Sequence, residues 1–278
     1  MLAPALLNVS VFLGIPLVAA LVLSFTDYGF FAPATFVGLD NYGQLLADDN
    51  FRVAVLNTIL YTVLVVPIGM AIALLVAHTL NLGVRGQAFF RVAFYIPVVT
   101  ATVSIATVWL WILNPNVGLA NAILGLFGLP PSQWLNSPNT ALLSLGMIGI
   151  WQGLGTKIVI YLAALQSVDP ALLEAAKLDG AGRWKSFWNV VWPALGPSHF
   201  FVFTTSIIAS FQVFDLVYVT TKGGPVNSTR VLVFDIFENA FSKLNLGYAA
   251  AESVYMFILI AIFMFFGLRL QRSQSNGG

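Results

Sequence analysis

The sequence predicts an all-α, polytopic integral membrane protein with about six transmembrane helices, and three observations lead there. Hydrophobic residues make up 59% of the 278 and charged residues only 8%, with a mean hydropathy of +0.89, well beyond the apolar share of a soluble domain. Six segments approach or exceed the roughly 20 residues that a helix needs to cross about 30 Å of hydrocarbon. Backbone polar groups in lipid must be satisfied within the segment, which selects helices. The expected organisation is a single transmembrane domain over 1–278. A net charge of +1 gives no reason to expect nucleic acid, and the absence of cysteine excludes disulfides, cysteine metal sites and thiol catalysis.

The spans are expected near residues 4–25, 54–79, 92–113, 140–165, 199–221 and 248–270. The first follows Met1 without a basic leader or a convincing small-residue cleavage site, and reads as an uncleaved membrane helix. Pro16, Pro67 and Pro97 lie in the first three spans and predict local kinks, with neighbouring helices or water covering the freed carbonyls. Between the first two spans the chain carries Asp27, Asp40, Asp48 and Asp49 and a short amphipathic piece, Asn41 to Ala47. The loop from Asn81 to Arg91 is short and basic. Residues 114–139 are rich in Gly, Pro and Asn and hold an apolar run, Leu119 to Phe127, too short to span. After the fifth span come Lys222-Gly223-Gly224-Pro225 and an amphipathic stretch, Val231 to Leu244.

One island of charge interrupts this pattern, between the fourth and fifth spans, from Asp169 to Pro197. It holds Asp169, Glu174, Lys177, Asp179, Arg183 and Lys185. Asp169 followed by Pro170 is a helix start, because the carboxylate accepts from an orphan N–H and proline fits the first helical position. Leu172, Leu173 and Ala176 recur at helical spacing until Asp179-Gly180, where glycine can take the left-handed conformation that ends a helix. A second short helix, Trp184 to Val191, is expected to close at Trp192-Pro193. The unit over 169–193 is therefore helix, glycine turn, helix, presented to the aqueous phase. With the N-terminus inside, Arg85, Arg91, Lys177, Arg183, Lys185, Arg269 and Arg272 fall on the inner side, against Arg52, Lys222, Arg230 and Lys243 outside. That bias predicts a cytoplasmic island and cytoplasmic termini.

At this island the sequence resembles the permease subunits of binding-protein-dependent ATP-binding-cassette importers. Their signature is Glu-Ala-Ala, three residues, Gly, nine residues, then Ile-x-Leu-Pro. Here Glu174-Ala175-Ala176 is followed by Gly180 and by Val190-Val191-Trp192-Pro193, with Trp192 departing from the pattern. Ser24-Phe25-Thr26-Asp27, Val37-Gly38-Leu39-Asp40-Asn41-Tyr42, Leu162-Ala163-Ala164-Leu165-Gln166, Asp179-Gly180-Ala181-Gly182, Gly223-Gly224-Pro225 and Asn227-Ser228-Thr229 look like the sugar-type branch. That branch includes the larger maltose permease subunit and glycerol-phosphate permeases.

The resemblance implies several partners: a second permease subunit, two cytoplasmic ATPase subunits that bind ATP and Mg, and an extracytoplasmic solute-binding protein. No cofactor is expected on this chain. It also implies that Glu174, Ala175, Ala176, Asp179, Gly180 and Pro193 couple the permease to an ATPase subunit, with Glu174 meeting a basic group there.

Polar groups inside spans are candidates for a solute path, since each is costly in lipid and faces a bundle interior. The fourth span offers Trp151, Gln152, Gly153, Thr156 and Lys157; the fifth offers Ser206, Ser210, Phe211, Gln212 and Asp215. An indole face suits pyranose C–H groups, and amides and hydroxyls suit sugar hydroxyls. Lys157 lies about 13 Å from the inner helix end at 1.5 Å per residue, too deep to snorkel. It either faces the path or pairs with an acid, for which Asp215 is the first candidate, and in the path it would keep a glycerol phosphate or polyol phosphate open as the solute. Asn57 and Tyr61 suit helix packing better than ligand contact, and His78 and His199 show no metal-ligand spacing.

Two other classes compete. A membrane-embedded enzyme would require clustered acids, histidines or a nucleophile with its base. An ion-driven secondary transporter would show an inverted repeat. The chain has no GxxxxGK[ST] loop, so the expectation is a permease without catalytic residues, powered in trans.

Overall fold

The structure, a computed structural model, describes residues 3–29 and 33–275. The first span consists of α1 (Ala3–Val9) and α2 (Ile15–Leu23), joined through a π-helical turn at Ser10–Gly14. Pro16 follows directly, and a widened turn is one way in which a helix absorbs the donor that proline lacks. Its side chains, among them Leu6, Phe12 and Leu13, are largely exposed. A two-residue hairpin, Thr26–Asp27 against Thr35–Phe36, comes next. The expected amphipathic piece is α3 (Asp40–Ala47), pinned to the end of the first span by Asn41, whose amide donates to the carbonyls of Ser24 and Thr26, both at 2.9 Å.

Helix α4 (Asp49–Asn81) carries 33 residues, about 50 Å at 1.5 Å per residue, and so outreaches the hydrocarbon. Asp48 caps it, accepting from the Asn50 N–H at 2.8 Å, and Pro67 is absorbed without a break.

The third span, expected over 92–113 with a local kink at Pro97, is broken far more sharply. Here α5 (Gln87–Val99) and α6 (Thr102–Ile112) meet at a bend of 101°. Thr100 and Ala101 are extended, with ψ of 136° and 129°, three residues past Pro97, which has already removed one rung of the ladder. The short apolar run is α7 (Leu119–Leu126).

The fourth span, α8 (Ala141–Gln166), lies along α4 and α5 through its glycines. A Cβ at Gly146 would meet Leu64 Cδ2 at 2.4 Å, and one at Gly155 would meet the Phe94 carbonyl at 2.3 Å, so small residues set the helix separation.

The charged segment begins with α9 (Pro170–Leu178) and α10 (Arg183–Ser186). Its second helix does not close at Trp192–Pro193. It continues through a π-helical turn, Phe187–Val191, and α11 (Trp192–Ala194) into α12 (Gly196–Phe211). The π turn places the Trp192 N–H on the Phe187 carbonyl, shifting the register just ahead of a proline that cannot donate. The fifth span is interrupted in turn: 212–214 leave the helix, with Phe214 at φ −136°, before α13 (Asp215–Thr220) resumes.

The stretch after α13 contains α14 (Leu232–Phe237) and a π turn, Glu238–Ser242, and leads into the last span, α15 (Leu246–Ser275). It is stitched to α4: the Asn57 amide donates to the carbonyls of Asn227 at 2.8 Å and Arg230 at 2.9 Å, and the Leu232 N–H donates to Thr58 Oγ1 at 2.9 Å. Asn57 is thus a packing residue. Arg230 Nε donates to Asp235 Oδ1 at 2.7 Å and its Nη2 pairs with Glu238, while Asn239 donates to Glu252 of α15 at 2.9 Å. Burial works against the charge of Arg230, but Asp235 and Glu238 outweigh it and hold the guanidinium above its ordinary pKa.

The Asp235 side chain is 1% exposed and that of Arg230 8%, so Arg230→Ala leaves a buried carboxylate without its cation. A loss of about 3–5 kcal/mol is expected, read as a lower melting temperature of the detergent-solubilised chain; an unchanged melting temperature would contradict it.

Candidate functional site

Helices α4, α6, α8 and the α12–α13 break surround a cavity of about 390 Å³. Each wall reaches it for a local reason. On α8, Gly149, Gln152, Gly153 and Lys157 share one helical face. On α12, Ser206, Ala209 and Ser210 do the same, the broken turn adds Gln212, Val213 and Phe214, and Asp215 follows at the start of α13. Thr102, the first residue after the α5–α6 bend, completes the wall and accepts from the Gln152 amide at 2.9 Å. The break at 212–214 thus lines this space directly, where water can satisfy backbone groups that lipid could not, and the α5–α6 bend reaches it through Thr102.

Ser210 Oγ lies 2.9 Å from both Thr62 Oγ1 and the Ile207 carbonyl, tying α12 to α4. Tyr61 lines the cavity with its hydroxyl over Gly149, where a Cβ would approach to 2.1 Å. The Lys157 ammonium donates to the Gly153 carbonyl at 3.2 Å. It makes no ion pair with Asp215, although both border the cavity.

Three residues expected on the path stand elsewhere. Trp151 packs edge-on against Trp109, ring centroids 5.6 Å apart, and borders a separate apolar recess with Pro97 and Thr100. Thr156 is exposed on another face of α8. Phe211 is fully buried, its ring 5.4 Å from that of Phe263 on α15, so it belongs to the packing between helices. Thr102, Gly149 and Phe214 were not picked out by the sequence; Pro97 shortly before Thr102 was the one available signal.

At the other end of α8, Asp169 Oδ1 accepts from the Ala171 N–H at 2.9 Å and Pro170 occupies the first turn of α9, as the sequence predicts. The helix ends with paired bonds, Gly180 N–H to the Lys177 carbonyl at 3.0 Å and Ala181 N–H to the Ala176 carbonyl at 2.9 Å. This is the Schellman arrangement, and it requires the φ of +76° that Gly180 adopts. Glu174, Ala175, Asp179 and Pro193 are exposed and Ala176 is half-buried. Trp192 joins a run of aromatic contacts: Trp188 at 5.0 Å and His199 at 4.3 Å between centroids. His199 in turn lies 3.1 Å from the Tyr161 hydroxyl.

Residues 65–276 match the family model described as the binding-protein-dependent transport system inner membrane component. The chain belongs to this family. It is a permease of an ABC importer system, and an inner-membrane component. Among its relatives is the sn-glycerol-3-phosphate transport system permease protein UgpA of Agrobacterium fabrum, 30% identical over 100% of this chain and 95% of the relative. Another is the multiple sugar-binding transport system permease protein MsmF of Streptococcus mutans, 31% identical over 98% and 93%. A bacterial ABC transporter involved in the import of the acidic polysaccharide alginate has the same fold, with a TM-score of 0.84 over 98% of this chain and 94% of that one at 22% identity. A second structure of the alginate transporter includes a pentasaccharide-bound periplasmic protein.

The close approach at Gly149 is testable in the permease itself. Gly149→Ala should cost about 1–3 kcal/mol by overpacking and lower the melting temperature, and adding Tyr61→Phe should recover most of the loss, because the hydroxyl is the nearest clashing atom. A double variant no better than Gly149→Ala would refute the contact.

Proposed function

We propose that this permease forms half of the translocation path of an ATP-driven importer for a sugar, of mono-, di- or oligosaccharide size, and passes the solute by alternating access. The observation that carries the reading is one of connection. The two helices that supply most of the polar cavity wall, α8 and α12, are joined to each other through the charged segment from Asp169 to Pro197. A force applied to that segment acts on both walls at once. The cavity offers amide, hydroxyl and carboxylate groups of the kind that pair with sugar hydroxyls.

The remaining parts are supplied by other chains. A second permease of similar fold closes the path, two cytoplasmic ATPase subunits bind ATP and Mg, and an extracytoplasmic binding protein delivers the solute. The island and both termini face the cytoplasm. There Glu174 meets a basic group of an ATPase subunit, and Ala175 and Ala176 permit close approach because their side chains are small. Gly180 holds the turn that seats α9 against the following helix, and closure of the ATPase pair moves the segment as a lever.

Glu174→Lys reverses the charge at the docking surface, and Gly180→Leu places a side chain where φ is left-handed, a strain of about 1–2 kcal/mol. Both are expected to abolish ATP-dependent uptake in reconstituted vesicles and to weaken copurification of the ATPase subunits, while the permease remains inserted. Full uptake and normal ATPase association in both variants would remove the coupling role, and transport that persists without ATP would remove the importer reading.

A further inference from the structure

Lys157 is the cationic side chain of the cavity wall, and the backbone around it is shaped to hold it. Its Nζ lies over Gly153, 2.8 Å from where a Cβ would stand, and its Cε lies 3.6 Å from the corresponding point at Gly69 on the facing helix α4. A side chain at Gly153 would push the lysine away, while at Gly69 a Cβ would only touch its stem at ordinary contact distance, so the cation lies across two glycines on adjacent helices with Gly153 the tight one. Of the three ammonium donors, one meets the Gly153 carbonyl at 3.2 Å. No carboxylate among the described residues lies within ion-pair distance.

The cavity's own acid, Asp215, lies past the far end of α12, whereas α8 runs the opposite way and brings Lys157 closer to the charged segment than Gln152 or Gly149. The wall is therefore polarised along its length. A cation at bilayer depth is stable only when it is paired or wet, and here the space beside its unused donors is the cavity itself.

We infer that Lys157, seated between Gly69 and Gly153, is an anion subsite, and that the transported solute is an acidic sugar or polyol whose carboxylate or phosphate faces it. The hydroxyls of the same solute meet Gln152, Ser206, Gln212 and Asp215, the last as an acceptor. This rests on the proposed importer function and narrows it.

The test uses the intact complex with its binding protein in proteoliposomes and reads stimulation of ATP hydrolysis by three probes: trigalacturonate, glycerol 3-phosphate and maltotriose. Stimulation by an anionic probe well above that by maltotriose is expected, and which anion acts separates carboxylate from phosphate. Lys157→Gln should reduce that response about tenfold or more, the scale of one lost charge-assisted bond, whereas Lys157→Arg should retain a larger share. Maltotriose acting as strongly as either anion, or Lys157→Gln responding to the anion like wild type, overturns the subsite and leaves the sugar-importer reading standing. Silence of both anionic probes in a complex that hydrolyses ATP overturns the subsite, whatever maltotriose does.

Discussion

The constraint on which the rest of this permease depends is that backbone polar groups cannot be left open to lipid. The chain nevertheless leaves helical geometry twice within its apolar spans, at Thr100–Ala101 and at 212–214. Such breaks persist where protein or water takes over the hydrogen bonds; the second lines the polar cavity directly, and the first reaches it through the next residue, Thr102. Thr102 follows the first break and bonds to Gln152 of α8. Gln212 lies in the second, and Asp215 follows it.

Around that cavity the fold divides its tasks. Tight glycine contacts hold α8 against α4 and α5, and an inner cluster of Ala73, Ala77, Ile158, Tyr161 and Leu195 packs the end nearest the charged segment. At the opposite end, Asn57, Thr58 and the Arg230–Asp235–Glu238 group bind the 222–244 stretch to α4 through hydrogen bonds and ion pairs. The helical path from α10 through α12 is interrupted only by its π turn and by a single turn residue, Leu195, so the charged segment is joined almost helically to one cavity wall. Under the proposed coupling, that connection would let the segment act on the wall as a lever.

Local signals made the charged segment legible in the sequence. Asp169 and Pro170 start a helix, and Gly180 ends one wherever they stand, so caps need no knowledge of neighbours. The cavity was only half legible, because polarity marks a residue as buried among protein groups without saying on which face. A helix turns about 100° per residue, so the contiguous run Trp151 to Lys157 cannot all face one space. Gln152, Gly153 and Lys157 do, and Trp151 and Thr156 point elsewhere. The same arithmetic separates Ser206 and Ser210 from Phe211. The break at 212–214 carries no proline or glycine, and the one at Thr100–Ala101 comes three residues after its proline, so tertiary context decided both. Trp192 shows the reverse: a departure from the family signature that the aromatic contacts to Trp188 and His199 explain.

The proposed path requires that both broken helices meet water in one cavity, and the absence of native cysteine permits a direct measurement. Single cysteines at Thr102, Gln152, Gln212 and Asp215, and for comparison at Ile207 and Phe211, are exposed to a membrane-impermeant thiol reagent in the assembled complex. The account predicts rapid labelling at the first four positions, slowed by transported solute, and little labelling at the other two. Equal labelling at all six, or protection of Thr102 and Gln212 alongside Phe211, would contradict it.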